Sequence, residues 1–467
     1  MRTKTLSRPV WSGHSCPLLL TLLLLLLLIS STPALTQDKP TALKGAKLLT
    51  ITHGTIENGV LVMQGGKITA IGPASTVTIP ADAQIVDATG MTIYPGLIDS
   101  ETALGLTEIS AEAMTNDLVE LSDEIMPHMH TADAFHAESA LIPVARLNGI
   151  TNAIVAPDGG DTLPGQDSFI QLAGSNATEM LLIRDIAMPL NFTGDERRNK
   201  GGFNNHKFPS TRMGLAAQLR QSFIDAQDYK SKWTEYERKK ADAAANNDKD
   251  KNSDKNKDKD KSKDKKPEPT PPKRDLKLEA LIPYLEGKKP IVLAAESPSD
   301  LQTAVSLANE FKLKFVLNHI SHSQPVLDYV ASLKVPVIVG PIYEAPKEHE
   351  RYDTVYSLPA QLYKRGVKIV FASYSAHSVR NLPDQAGFAS AFGLPYDEAL
   401  KAITLNAAEV WGVADQLGSL DVGKTANVVM ANGDPLDVKT DVKQVFIQGR
   451  AIPMASRQTQ LRDEYSK

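Results

Sequence analysis

Ten histidines and a single cysteine limit where metal or nucleophilic chemistry can reside in this 467-residue chain. Two histidine spacings have the geometry of ligand pairs. His128-Met129-His130 would set two imidazoles on one side of an extended segment, and His319-Ile320-Ser321-His322 would do so on a helical turn. Ligands of this kind serve metal-assisted hydrolysis, in which a divalent ion lowers the pKa of bound water and a base directs its attack. The first pair follows Pro127 where no strand pattern exists, so it reads as two exposed loop histidines. His322 reads as the polar head of a helix. His349 and His377 follow strand candidates, and His377 is expected to help bind a ligand there.

Such residues need elements to hold them. Near the start, Lys47-Leu48-Leu49-Thr50-Ile51-Thr52, Val60-Leu61-Val62-Met63-Gln64 and Lys67-Ile68-Thr69-Ala70-Ile71 alternate like strands, with Asn58-Gly59 and Gly65-Gly66 as turn signals. A matching pair returns late, Ala426-Asn427-Val428-Val429-Met430 and Lys443-Gln444-Val445-Phe446-Ile447, with Asn432-Gly433 between them. Between these ends, continuous apolar runs such as Pro290-Ile291-Val292-Leu293, Lys314-Phe315-Val316-Leu317 and Lys368-Ile369-Val370-Phe371 alternate with amphipathic stretches, among them residues 299–312, 324–333 and 354–365. That order predicts parallel strands covered by helices. The expected fold is α/β: a (β/α)8 TIM-like barrel over residues 93–413, with a discontinuous small β-sandwich built from residues 41–92 and 414–455. An open doubly wound sheet is the alternative, but no glycine-rich nucleotide loop follows any strand.

Charge excludes other classes. Lys and Arg number 51 against 55 acids, and three of the bases but no acid fall in residues 1–34, leaving a net charge of -7 beyond them. A mildly acidic surface disfavours nucleic acid and anionic lipid. Residues 1–34 have a basic start, an apolar stretch and Thr32-Pro33-Ala34, the pattern of a cleaved signal peptide. The apolar stretch is short of the roughly 20 residues a spanning helix needs, so no stable membrane anchor is expected after cleavage. Export to the periplasm or outside the cell follows, and the lone Cys16 lies in the leader, so disulfides are not expected. Residues 239–266 alternate Lys and Asp without a branched aliphatic or aromatic side chain, and a Pro-rich stretch follows. They are expected to form a disordered insertion, residues 239–272, within the barrel.

Ile93-Tyr94-Pro95-Gly96-Leu97-Ile98-Asp99 resembles the first barrel strand of the amidohydrolase superfamily, especially its imidazolonepropionase-like branch. Ala399 to Glu409, Gly418 to Asn427 and Gly433-Asp434-Pro435-Leu436 are similar to that family's closing signature. The resemblance spans about residues 45–450. It implies a metal-dependent barrel flanked by a split β-sandwich, hydrolysing a non-peptide (cyclic amide) C–N bond. The ligand motifs depart from that pattern. Glu101 and Ala103 stand at the two positions of the first-strand His-x-His, Ala294 stands where a histidine precedes Ala-Glu, and Ser375 aligns with the catalytic aspartate, while the histidine after Asn318 is present as His319. Gly165-Gln166 resembles a family loop, which makes Gln166 a candidate for substrate binding.

The expectation is a degenerate amidohydrolase with no cofactor at full occupancy, acting in binding a small molecule or as partner of a related, active amidohydrolase subunit. The alternative is an active C–N hydrolase with an altered site, in which His319 and Glu101 hold a divalent metal such as zinc. No catalytic residue is assigned.

Overall fold

The computed structural model describes residues 39–120, 122–157, 161–192, 208–209, 211–253, 269–320, 324–347 and 350–466. The expected leader, His322 and His349 lie outside these residues.

Five strands open the described chain: β1 (Thr41–Leu49), β2 (Thr55–Gln64), β3 (Lys67–Pro73), β4 (Gln84–Asp87) and β5 (Thr92–Pro95). Eight more follow: β6 (Leu97–Thr102), β7 (Ile150–Val155), β8 (Asp167–Gln171), β9 (Leu181–Asn191), β10 (Ile291–Ala294), β11 (Phe315–Asn318), β12 (Val337–Val339) and β13 (Ile369–Phe371). The last three are β14 (Val428–Ala431), β15 (Val442–Ile447) and β16 (Arg450–Ala451).

Strands from both chain ends share one eight-stranded sheet in the order β16-β15-β14-β5-β1-β2-β3, with β4 also on β1. The expected domain built from both chain ends is thus present, its strands joined in one hydrogen-bonded sheet. β1 pairs β4 through residues 41–44 and β5 through residues 47–48, with Gly45 at φ 87° between the two stretches. Gly65 and Gly66, at φ 58° and 77°, form the β2–β3 hairpin turn as expected. Asn58-Gly59 does not turn the chain. It lies within β2, where Asn58 takes φ 47° beside an irregularity in the β1–β2 register, and the reversal falls at Thr50, whose N–H reaches the Gly54 carbonyl. Asn432-Gly433 begins a longer connection rather than a tight turn, since β15 starts at Val442.

The second sheet runs β13-β12-β11-β10-β9-β8-β7-β6 and is a nearly closed barrel. The seam between β13 and β6 is joined at the mouth by the Tyr374 N–H, which donates to the Glu101 carbonyl at 2.9 Å. Each strand sends one residue to a shared interior layer: Ile98, Ile154, Phe169, Ala187, Val292, Val316, Ile338 and Val370, with Trp411 packed against them. Burying the larger of these side chains contributes about 1.5–3 kcal/mol each, so the layer anchors the barrel.

The barrel departs from the expected pattern in one strand. β8 runs antiparallel to both β7 and β9. Its connection to β9 contains only the four-residue helix Ala177–Met180, and a parallel return needs a crossover of a dozen residues or more.

The charged insertion is the larger correction. Residues 239–253, expected to be disordered, continue the helix Arg212–Ser253, while residues 254–268 lie outside the description. Leu215, Leu219, Phe223 and Ala226 bury one face of this helix, and Phe223 packs on Phe311 with ring centroids 5.0 Å apart. Once packing has nucleated a helix, adding Ala and Lys residues to its end costs little, so apolar anchoring at its start suffices. Among the described residues, no helix is long and apolar enough to cross a membrane.

Candidate functional site

The mouth of the barrel holds a cavity of about 200 Å3 lined by residues from the ends of β6, β7, β11 and β13, among them Glu101, Ala103, Thr107, Ala156, His319, Tyr374, Ser375 and His377. Strand alternation brings Ala156 to the lining: two residues beyond the interior layer, it returns to the inner face, as Asn318 and Ala372 do just beneath the cavity's level on their own strands. Because β8 is reversed, its inner residue at this level precedes Phe169 and is Asp167. Extending the register that pairs Val155 with Ser168 sets Asp167 beside the lining residue Ala156, although Asp167 is buried and does not itself line the cavity.

A hydrogen-bonded chain spans the mouth. Asn318 Nδ2 donates to Glu101 Oε2 at 2.6 Å, while Asn318 Oδ1 accepts the His319 backbone N–H at 2.8 Å and the Tyr374 hydroxyl. His319 has a left-handed backbone, φ 53°, and its ring lies against that of Tyr374 with centroids 4.6 Å apart. Ser375 Oγ accepts the His377 N–H at 3.3 Å, and His377 itself is exposed.

Buried carboxyl groups surround this chain. Asp99 Oδ1 accepts the backbone N–H of Ser373 at 3.0 Å and that of Glu101 at 3.2 Å, stitching β6 to β13. Its Oδ2 is buried without a partner, and burial pushes the carboxyl up to about 7 despite the bonds from Ser373. Asp167 is fully buried with neither oxygen hydrogen-bonded, and burial followed by the charge of Glu101 raises its pKa well above the carboxylate range. Burial, then Glu101, Asp99 and Glu344, likewise keep the Tyr374 phenol protonated.

The sequence-stated candidates separate in space. Glu101, His319 and His377 meet at the cavity, but Gln166 does not line it. Gln166 is buried in the wall, donating to the Pro127 carbonyl at 3.0 Å and accepting from the Tyr284 hydroxyl at 2.8 Å. His128 and His130, expected as exposed loop residues, are half-buried away from the mouth. His130 Nδ1 lies 2.6 Å from Asp185, and desolvation lowers the pKa of His128. Tyr374, Asn318 and Asp167 were not expected as site residues. The side chain that crosses the mouth to Asn318 belongs to Tyr374, one residue before the position aligned with the aspartate.

Residues 303–452 match the amidohydrolase family. An amidohydrolase from Thermotoga maritima MSB8 superposes with a TM-score of 0.74 at 26% identity, over 89% of this chain and all of that one. Over residues 303–452 in sequence, and over most of its length in fold, the chain is similar to the amidohydrolase superfamily. A curated relative, amidohydrolase tasK of Hapsidospora irregularis, is 24% identical over 84% of this chain, which spans only 40% of that protein's length. Molinate hydrolase shares the fold at 16% identity and a TM-score of 0.52, over 90% of this chain and 95% of its own.

Members of the superfamily typically use a divalent metal such as zinc. The residues here do not fit one. Ala103 and Ala294 offer no donor atom, Glu101 Oε2 is already hydrogen-bonded to Asn318, and the His319 ring lies against Tyr374. Among the described residues, no three His, Cys, Asp or Glu side chains converge closely enough to hold an ion.

Proposed function

We propose that this protein is an exported member of the superfamily that has exchanged its metal hydrolase centre for a small-molecule binding site at the barrel mouth. One observation carries the reading. Glu101, at a first-strand ligand position, is bonded to Asn318, which in turn accepts from Tyr374, beside a cavity lined by both polar and apolar groups above a packed barrel. Metal affinity in such sites depends on several imidazoles and carboxylates acting together, and replacing two histidine positions by alanine removes donors that a hydrogen-bond network cannot supply. Partnership with an active relative is compatible with the same loss, since the scaffold that would support an interface is retained.

The test is hydrolysis of cyclic amide and N-acyl amino acid substrates by the purified protein after incubation with zinc or manganese. No turnover above the protein-free rate is expected. Metal-dependent turnover abolished by His319→Ala would overturn the proposal and establish an altered single-metal hydrolase.

A further inference from the structure

We infer that the mouth cavity accepts a small organic cation, an alkylammonium group carried on a short apolar chain. The inference rests on the binding reading above and adds the chemical class of the ligand. Three independent features of the cavity carry it.

Sign of charge is the first. Glu101 lines the cavity, and none of the described lining residues is Lys or Arg. Its carboxylate is held in place by Asn318 on one oxygen, so it is positioned rather than mobile. Asp167 supplies the second feature. This side chain is 0% exposed, sits beside the lining residue Ala156 by the β7–β8 register, and has no hydrogen bond to either carboxyl oxygen. An unpartnered buried carboxyl costs about 1–3 kcal/mol, and a donor entering from the cavity would relieve that cost. An ammonium supplies three N–H donors and a charge opposite to that of Glu101, whereas an anion would face the Glu101 carboxylate.

The third feature is aromatic. His319 and Tyr374 pack with ring centroids 4.6 Å apart at an interplanar angle of 36°, and both line the cavity together with Glu101. Cations are attracted to the face of a phenol, more strongly where water is excluded. Leu118, Ala156, Pro157 and Ala376 complete an apolar wall that suits a short alkyl chain. At about 200 Å3 the cavity is smaller than the sites of drug-sized ligands, roughly 300–1,000 Å3, so the occupant is a simple amine.

Isothermal titration calorimetry of the mature protein with butylammonium, 1-pentanol and butyrate tests the inference. Butylammonium should bind at least tenfold more tightly than either of the others. Glu101→Gln should weaken it at least tenfold, and so should Ser110→Lys, which adds a positive charge at an exposed rim position where folding is not at risk. Tighter binding of pentanol or butyrate, sensitive to Ser110→Lys, would overturn the cationic class and leave a binding site of another kind. Absence of binding by all three would overturn the inference, whereas metal-dependent turnover would instead remove the reading beneath it.

Discussion

Glu101 and Asn318 lie 217 residues apart in the chain and meet at 2.6 Å across the barrel mouth. The bond joins the end of β6 to the end of β11, where a hydrolase of this fold would gather metal ligands. Replacing Asn318 by Leu removes the donor to Glu101 and the acceptor for Tyr374 together. The expected loss is about 1–3 kcal/mol in urea denaturation, because partners in a partly buried site are left unsatisfied. A change within experimental scatter would show that solvent already serves these groups.

Asp99 gives the protein a pH dependence. Its folded pKa, about 7, exceeds the unfolded carboxylate value, so between roughly pH 4 and 7 the unfolded state sheds a proton that the folded state keeps. Its contribution therefore lowers stability as pH rises through that window, by up to about 4 kcal/mol, and levels off above it. Asp99→Asn retains an acceptor for the Ser373 and Glu101 N–H groups without the titration. The variant's stability relative to the parent should increase from pH 4 to pH 7, as read by denaturation at three pH values. Parallel pH profiles for the two proteins would contradict the assignment.

Gly96 joins the sheet domain to the first barrel strand at a point where a Cβ would fall 2.2 Å from Thr151 Oγ1. Gly96→Ala should cost about 1–3 kcal/mol through overpacking. Adding Thr151→Ala should recover most of that loss in a double-mutant cycle, while strictly additive losses would place the strain elsewhere.

The helix extension is expected to be separable from the fold. Glu235 and Lys239 pair at 2.7 Å, but beyond them the described side chains of the extension are mostly exposed. Deleting residues 239–266 with a short Gly/Ser join should reduce the helical circular dichroism signal and move Tm by no more than a few degrees. A fall of ten degrees or more would mean that the extension packs against the barrel.

Periodicity made much of this architecture legible. The apolar runs at 290–293, 314–317 and 368–371 become β10, β11 and β13 with shifts of one residue at their ends. The reversal of β8 was not legible, because Asp167-Ser168-Phe169-Ile170-Gln171 is buried on both faces and direction is set by the length of the following connection. Residues 239–253 misled because their composition has nothing to bury, whereas their helix is held by Leu215, Leu219 and Phe223, far earlier in the chain. At the site, the family motif located Glu101 and His319. Ser375 aligns with the aspartate, whereas the side chain that reaches Asn318 across the mouth is that of Tyr374; a shift of one residue at a strand end exchanges the inner face for the outer. Asp167 left no signal, since nothing in the sequence marks β8 as running backwards.

Restoring Glu101→His, Ala103→His, Ala294→His and Tyr374→Asp together should raise zinc affinity at least a hundredfold over the parent, read by competition with a chromogenic chelator. Unchanged affinity in a folded variant would mean that these positions do not face a common centre.

We propose that the mouth holds no metal. Metal content of the purified, mature protein, measured by inductively coupled plasma mass spectrometry without added metal or chelator, tests it most directly. The predicted result is well under 0.2 equivalents of zinc, manganese, iron or nickel per chain, about the level of adventitious ions on surface histidines. Near one equivalent or more of a single metal, retained through dialysis and lost in His319→Ala, would contradict the account.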